Sequence, residues 1–235
     1  MEFELVESCP LCEGRDVKTH ATILGDSLVD EIACVICECG LIFHMWMMAP
    51  ETIREYYNGP YRETLGTADV TDRNVTEQLA RAEKLIEFMN NDIGPSNVLD
   101  IGSSTGLVLK VLRDVYKCDV LGVELSGRFT KYSRGIGVDV IDDIDKLKGQ
   151  KFDMITIFHT LEHLTRPRVV LEKARELMTD NGKLFVEVPF NNYKLAHPIV
   201  FTEETLVKIL NKTGFEVEKK TVNKKNMLVQ ARCDT

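Results

Sequence analysis

Five short apolar runs separated by helical patterns constrain this chain more than any other feature. The runs occupy residues 97–101, 119–124, 138–141, 152–158 and 182–189. After the first, Leu107, Val108, Val111, Leu112 and Val115 recur at helical spacing, and Pro167 opens a helix predicted to reach residue 178. Ahead of them, Val75, Leu79, Ala82, Leu85, Ile86 and Met89 mark an amphipathic helix that Gly94-Pro95 ends. A helix is expected over 202–213, then strands over 215–222 and 227–232 around Asn223-Lys-Lys-Asn226. Strands apolar on both faces, joined through helices, predict an α/β fold. Its sheet is mainly parallel and covered on both sides, with an antiparallel hairpin at the C-terminal edge.

Three regions follow: 1–44, rich in cysteine; 45–73, irregular and aromatic; and 74–235, the α/β region. Of seven cysteines, Cys9, Cys12, Cys34, Cys37 and Cys39 lie in the first 40 residues. The same stretch carries nine acids against two cations, nearly all of the chain's net charge of −8. That sign argues against a nucleic-acid-gripping module, while an acidic face leaves a protein partner as an expectation. The N-terminus shows no export signal, and no apolar run reaches the roughly 18 residues of a membrane span. A cytoplasmic location is expected.

Cys9-Pro-Leu-Cys12 and Cys34-Val-Ile-Cys37 form two Cys-x-x-Cys pairs at nearly zinc-ribbon spacing. Four thiolates would hold a structural zinc ion, which a 40-residue module with little core needs in order to fold. Cys39, followed by Gly40, competes with Cys34 and Cys37 as a ligand, so the choice among the three stays open.

In parallel sheets, ligands bind at the carboxyl ends of the strands, which directs attention to the first strand–loop–helix. It reads Asp100-Ile-Gly102-Ser103-Ser104-Thr-Gly106. Neither the dinucleotide fingerprint nor a P-loop is present, because position three is Ser104, position six is Leu107, and no Gly-Lys-Ser/Thr follows. With Asp100, Gly102 and Gly106 in place and Glu124 closing the second strand, the chain resembles the class I S-adenosylmethionine (SAM) dependent methyltransferases. The resemblance implies a Rossmann-like sheet of seven strands and a SAM site. Gly102, Ser104 and Gly106 would shape the methionine pocket, with Asp100 and Ser103 also binding the cofactor. Glu124, followed by Leu125, would hold the ribose hydroxyls, Asp143 and Ile144 would meet the adenine, and Phe158 and His159, at the end of the fourth strand, would also line the cofactor. Ser104 departs from the family's middle glycine.

His159-Thr-Leu-Glu162-His163 formally matches an inverted zinc-protease motif. It begins at a strand tip, however, where only Glu162 and His163 would share a helix. The segment is similar to that of ubiquinone-pathway O-methyltransferases, which carry an acid where His159 stands and are thought to use the cluster for metal. His163 or His159 is the candidate base. Packing and, for Glu162 with His163, a divalent ion are the alternatives. The Asn/Asp-Pro-Pro-aromatic sequence of base-modifying N-methyltransferases is absent. Some small-molecule methyltransferases and one 23S ribosomal RNA methyltransferase begin with similar ribbons.

Tyr56, Tyr57 and Tyr61 are expected to cover the cofactor or to pack the ribbon. Asn191, Asn192, Tyr193 and His197, after the fifth strand, are expected to contact the substrate. The expectation is therefore SAM-dependent methyl transfer to a small-molecule acceptor. A non-catalytic SAM-binding scaffold and an RNA methyltransferase are the rival readings.

Overall fold

A computed structural model describes residues 2–26, 29–49, 52, 55–56, 70–90 and 94–234. In chain order its elements are β1 (Phe3–Leu5), β2 (Val17–Asp26), β3 (Val29–Cys37), β4 (Ile42–His44), β5 (Trp46–Met48) and α1 (Asp72–Met89). Next come β6 (Asn97–Ile101), α2 (Leu107–Tyr116), β7 (Asp119–Val123), α3 (Gly127–Gly135) and β8 (Asp139–Ile141). A 3-10 turn (Ile144–Leu147), β9 (Phe152–Phe158), a second 3-10 turn (Leu161–His163), α4 (Pro167–Leu177) and β10 (Met178–Pro189) follow. The chain closes with β11 (Ile199–Val200), α5 (Glu203–Lys212), β12 (Phe215–Val222) and β13 (Asn226–Cys233). Among the described residues, no helix is long and apolar enough to cross a membrane.

Seven strands form one sheet in the order β12-β13-β10-β9-β6-β7-β8. The pairs β6–β7, β6–β9 and β7–β8 are parallel, and β12–β13 is an antiparallel hairpin. The mainly parallel sheet with a C-terminal hairpin is thus the observed fold. β10 begins at Met178, four residues earlier than the sequence suggests, because the exposed pair Asp180-Asn181 reads as a turn yet stays in the strand.

The chain divides into two compact units. One comprises Met1–Ile53, His159–Glu176 and Phe185–Thr235; the other comprises Arg54–Phe158 and Leu177–Leu184. In the second, α1 starts with a capping box in which Thr71 and Asn74 satisfy each other's backbone N–H groups. It buries Ala82, Leu85 and Met89. α2 buries Leu107, Val108, Leu109 and Leu112, the last burial stabilising by about 2 kcal/mol. Val115, expected on that apolar face, is exposed, and Leu109 takes its place. Val98, Leu99, Ile155 and Ile157 have essentially no solvent contact, which explains their unbroken apolar character.

In the first unit, β2, β3, β4 and β11 form a four-stranded sheet, and β1 pairs with β5. The cysteine region therefore shares its sheet with residues 199–200. No periodicity announces that strand, because it is only two residues long.

Candidate functional site

The glycine loop of the second unit is fastened to the end of β7. Gly102 and Ser103 N–H both donate to the Val123 carbonyl, at 2.8 and 3.0 Å. The Ser104 N–H donates to Glu124 Oε2 at 2.9 Å, and the Ser126 N–H donates to Oε1 at 2.8 Å. Gly102, Ser104 and Gly106 all have positive φ (83°, 49° and 69°). A serine therefore occupies a left-handed position where glycine has no steric cost. Ser133 Oγ, on α3, lies 3.1 Å from the Ser104 carbonyl and 2.8 Å from the Phe129 carbonyl, which share its one proton.

Asp100, at the carboxyl end of β6, is 3% exposed and accepts the Thr156 hydroxyl from neighbouring β9 at 2.7 Å. Burial pushes its pKa up to about 6, against the lowering effect of that hydrogen bond. Asp143 is exposed, and its carboxylate accepts the Asp145 N–H at the start of the 3-10 turn that contains Ile144. Leu125 is exposed and Phe158 is buried. Tyr56 is also buried, whereas Tyr57 and Tyr61 lie outside the described residues.

Three residues of this site escaped sequence reading: Thr156, Ser126 and Gly122. A Cβ on Gly122 would come within 2.4 Å of Ser103 Oγ, so any larger residue at position 122 would displace Ser103. A lone glycine inside an apolar strand is the available signal for such a close approach.

A histidine–carboxylate group belongs to the first unit. His159 follows β9 at φ 48°, and the 3-10 turn then carries Glu162 and His163. Glu162 is 1% exposed, and among the described residues neither of its oxygens has a hydrogen-bond partner. His159 Nδ1 lies 3.5 Å and His163 Nε2 3.8 Å from Oε1. Burial opposes the charge on Glu162, but His159, which faces Oε1, and then His163 hold its pKa below the usual carboxylate value. His163 Nδ1 lies 2.6 Å from the Ala196 carbonyl, which can only accept, so Nδ1 carries the proton and Nε2 faces Glu162.

The His197 ring meets His163 edge-on, with centroids 4.7 Å apart, and its Nδ1 is 3.3 Å from the Asn192 carbonyl. Burial lowers its pKa to about 4, which leaves a neutral imidazole. Ligand atoms of Glu162, His163 and His197 lie within 4.8 Å of one another. A buried carboxylate without hydrogen bonds, beside two ring nitrogens, has the donor chemistry of a divalent-cation site. Asn191 is exposed, and Tyr193 pairs through its hydroxyl with His20 Nε2 at 2.9 Å.

The thiols of Cys9, Cys12, Cys37 and Cys39 also lie within 4.8 Å of one another. Cys9 and Cys39 sulfurs are 3.6 Å apart, and those of Cys12 and Cys37 are 3.4 Å apart. Such spacings suit a tetrahedral ion with Zn–S bonds of about 2.3 Å. Burial raises the Cys9 pKa, whereas at Cys12 the Gly14 N–H, which donates to Sγ at 3.4 Å, helps outweigh burial and lowers it. Cys34 is apart from the four, in an apolar cluster with Ile42 and Val200. Of the three competing cysteines, the structure thus groups Cys37 and Cys39.

A parallel α/β sheet with a tight loop at one strand tip and a carboxylate at the next defines a Rossmann-like nucleotide-binding class. The methyltransferase domain family matches residues 72–220, and the chain belongs to that family, as a class I SAM-dependent methyltransferase. Ubiquinone biosynthesis O-methyltransferase of Histophilus somni (strain 2336) is 25% identical over 148 residues, or 57% of this chain. The alignment spans 62% of that relative's length. Magnesium protoporphyrin IX methyltransferase from Synechocystis PCC 6803, solved with bound SAH, superposes with a TM-score of 0.61 at 15% identity. The match covers 79% of this chain and 100% of that one. A methyltransferase from Streptomyces caelestis gives a TM-score of 0.56 at 16% identity, over 68% of this chain and 90% of that one. These two structures share the fold.

Proposed function

We propose that the chain methylates a hydroxyl group of a small-molecule acceptor, using SAM. The observation that carries the reading is the pair of hydrogen bonds that Glu124 accepts, one from the Ser104 N–H of the glycine loop and one from the Ser126 N–H that leads into α3. It fixes a carboxylate at the tip of β7, where charge-assisted bonds to ribose hydroxyls would form. Gly102 to Gly106 would pass close to the methionine part. Asp143 and Ile144 would meet the adenine. Bound SAM supplies an electrophilic methyl group on a sulfonium.

On the acceptor side, His159 or His163 would take the hydroxyl proton, with the Glu162 carboxylate stabilising the imidazolium that forms, and Asn191, Asn192, Tyr193 and His197 would contact the acceptor. The choice of a hydroxyl is supported by the name of the Histophilus relative and by the need of a hydroxyl for a base. In the alternative arrangement Glu162, His163 and His197 would instead hold a divalent ion, whose charge would lower the pKa of an acceptor hydroxyl, and His159 would remain as the base. Zinc bound by Cys9, Cys12, Cys37 and Cys39 would be structural, since all four positions around it are filled by thiolate. The acidic N-terminal region speaks against an RNA acceptor.

The test is SAH release from SAM with a panel of catechols and phenols, repeated with Glu162→Gln. Methylation that falls about 100-fold or more in the variant would support the acceptor assignment. Equal activity of the two proteins would refute the role of Glu162.

A further inference from the structure

The loop that carries Cys37 and Cys39 runs directly into the strand that supports the acceptor-side segment. Gly40 turns the chain at φ 92°, and the Cys37 N–H donates to the Leu41 carbonyl at 3.0 Å. β4 starts at the next residue, Ile42. One edge of β4 is bonded to β3 and the other to β11, with Phe43 opposite Ile199 and Ile42 opposite Val200. The His44 N–H donates to the Pro198 carbonyl at 2.9 Å. Pro198 directly follows His197, whose ring rests on His163.

Two side-chain ties reinforce this path. Tyr193 packs on the cluster of Cys34, Ile42 and Val200, and its hydroxyl pairs with His20 of β2. Lys208 Nζ, on α5, donates to the Cys39 carbonyl at 2.9 Å.

A strand of two residues has no stability of its own, so β11 depends on its neighbours: β4, to which its backbone is bonded, and the 3-10 turn of His163, against which it packs. β4 is itself three residues long and emerges from the cysteine loop. A metal held by four thiolates would contribute folding free energy to that loop.

We infer that the four-thiolate centre positions His197 and residues 191–200, acting through Leu41, β4 and β11. Metal at Cys9, Cys12, Cys37 and Cys39 fixes the Cys37–Leu41 turn, the turn fixes β4, and β4 holds β11. His197 is thereby kept against His163. The inference rests on the proposed zinc and is independent of the acceptor's identity. Coupling of this kind is reciprocal, so loosening β11 weakens metal binding.

The purified full chain is first assayed for zinc, then stripped with an organomercurial thiol reagent and a chelator. Both forms are compared by hydrogen–deuterium exchange and by calorimetric titration with SAH. Loss of zinc is expected to speed amide exchange across 190–202 by about tenfold or more, leaving exchange across 97–158 and SAH affinity unchanged. Unchanged exchange across 190–202 in the stripped protein overturns the inference. A folded protein that contains no zinc as purified overturns the zinc reading itself, which metal analysis reports separately.

Because stripping can unfold the whole chain, Pro198→Gly supplies a second measurement with all four thiolates intact. Its zinc affinity in competition with a chromophoric chelator is expected to fall by about fivefold or more. An unchanged affinity overturns the inference.

Discussion

Glu124 Oε2 accepts the backbone N–H of Ser104 at 2.9 Å, and this bond joins the tip of β7 to the middle of the loop that follows β6. The two strands are parallel neighbours, with Ile101 opposite Val123. The bond sets the direction of a carboxylate and the path of a loop at once. Ser104 needs such support, because its φ of 49° is costly for a residue with a side chain.

Ser104→Gly should therefore stabilise the protein. Relief of the left-handed strain is worth about 1 kcal/mol, equivalent to a Tm rise of about 2–4 °C at this chain length. The measurement is a thermal melt. A lower Tm for the variant would mean that the serine side chain contributes more than its backbone strain costs.

Asp100 should make stability depend on pH in an identifiable window. Burial raises its folded pKa from 3.8 to about 6. The native state then binds more protons than the unfolded state between those values, so stability declines as pH rises through the window and is level above it. Asp100→Asn retains an acceptor for the Thr156 hydroxyl but no charge. In urea titrations, the stability of the variant relative to the parent should grow from pH 4 to 6 by up to about 3 kcal/mol, then stay constant to pH 8. A difference independent of pH would contradict the assignment.

His44 should act in the opposite direction. It is buried, its Nε2 has no hydrogen-bond partner among the described residues, and burial lowers its pKa from 6.5 to about 4. The unfolded chain binds the extra proton in that interval, so this contribution to stability is lost as pH falls from 6.5 to 4. His44→Leu should flatten the acid limb of the stability profile. An unaltered acid limb would show that the imidazole is not held neutral.

The cysteines separate cleanly. If the proposed zinc is held by Cys9, Cys12, Cys37 and Cys39, Cys39→Ser should lose it on gel filtration, while Cys34→Ser should retain one zinc per chain, since Cys34 packs with Ile42 and Val200 away from the other four. Metal analysis of the two variants checks this. The reverse pattern would relocate the site.

Much of the fold was legible because buried parallel strands cannot hide their composition: β6 and β9 fall on the expected residues, and the closing hairpin around Asn223–Asn226 forms. What was not legible depends on distance in the chain. Thr156 meets Asp100 only because β9 lies beside β6. β11 is visible only through its bond to β4, which is more than 150 positions earlier in the sequence. Spacing alone left Cys34, Cys37 and Cys39 in competition, whereas folding turns alternate strand residues to opposite faces and separates them. Glu124 was recognisable from its place after a strand, but its bonds to Ser104 and Ser126 were not.

The most direct test of the cofactor site is calorimetric titration of the zinc-loaded protein with SAH, comparing the parent chain with Glu124→Ala. The parent should bind one SAH per chain. The variant, with its circular dichroism spectrum intact, should bind about 100-fold more weakly, as expected for the loss of two or more hydrogen bonds to a charged group. Equal affinity in the two proteins, or no binding by the folded parent, would contradict the account.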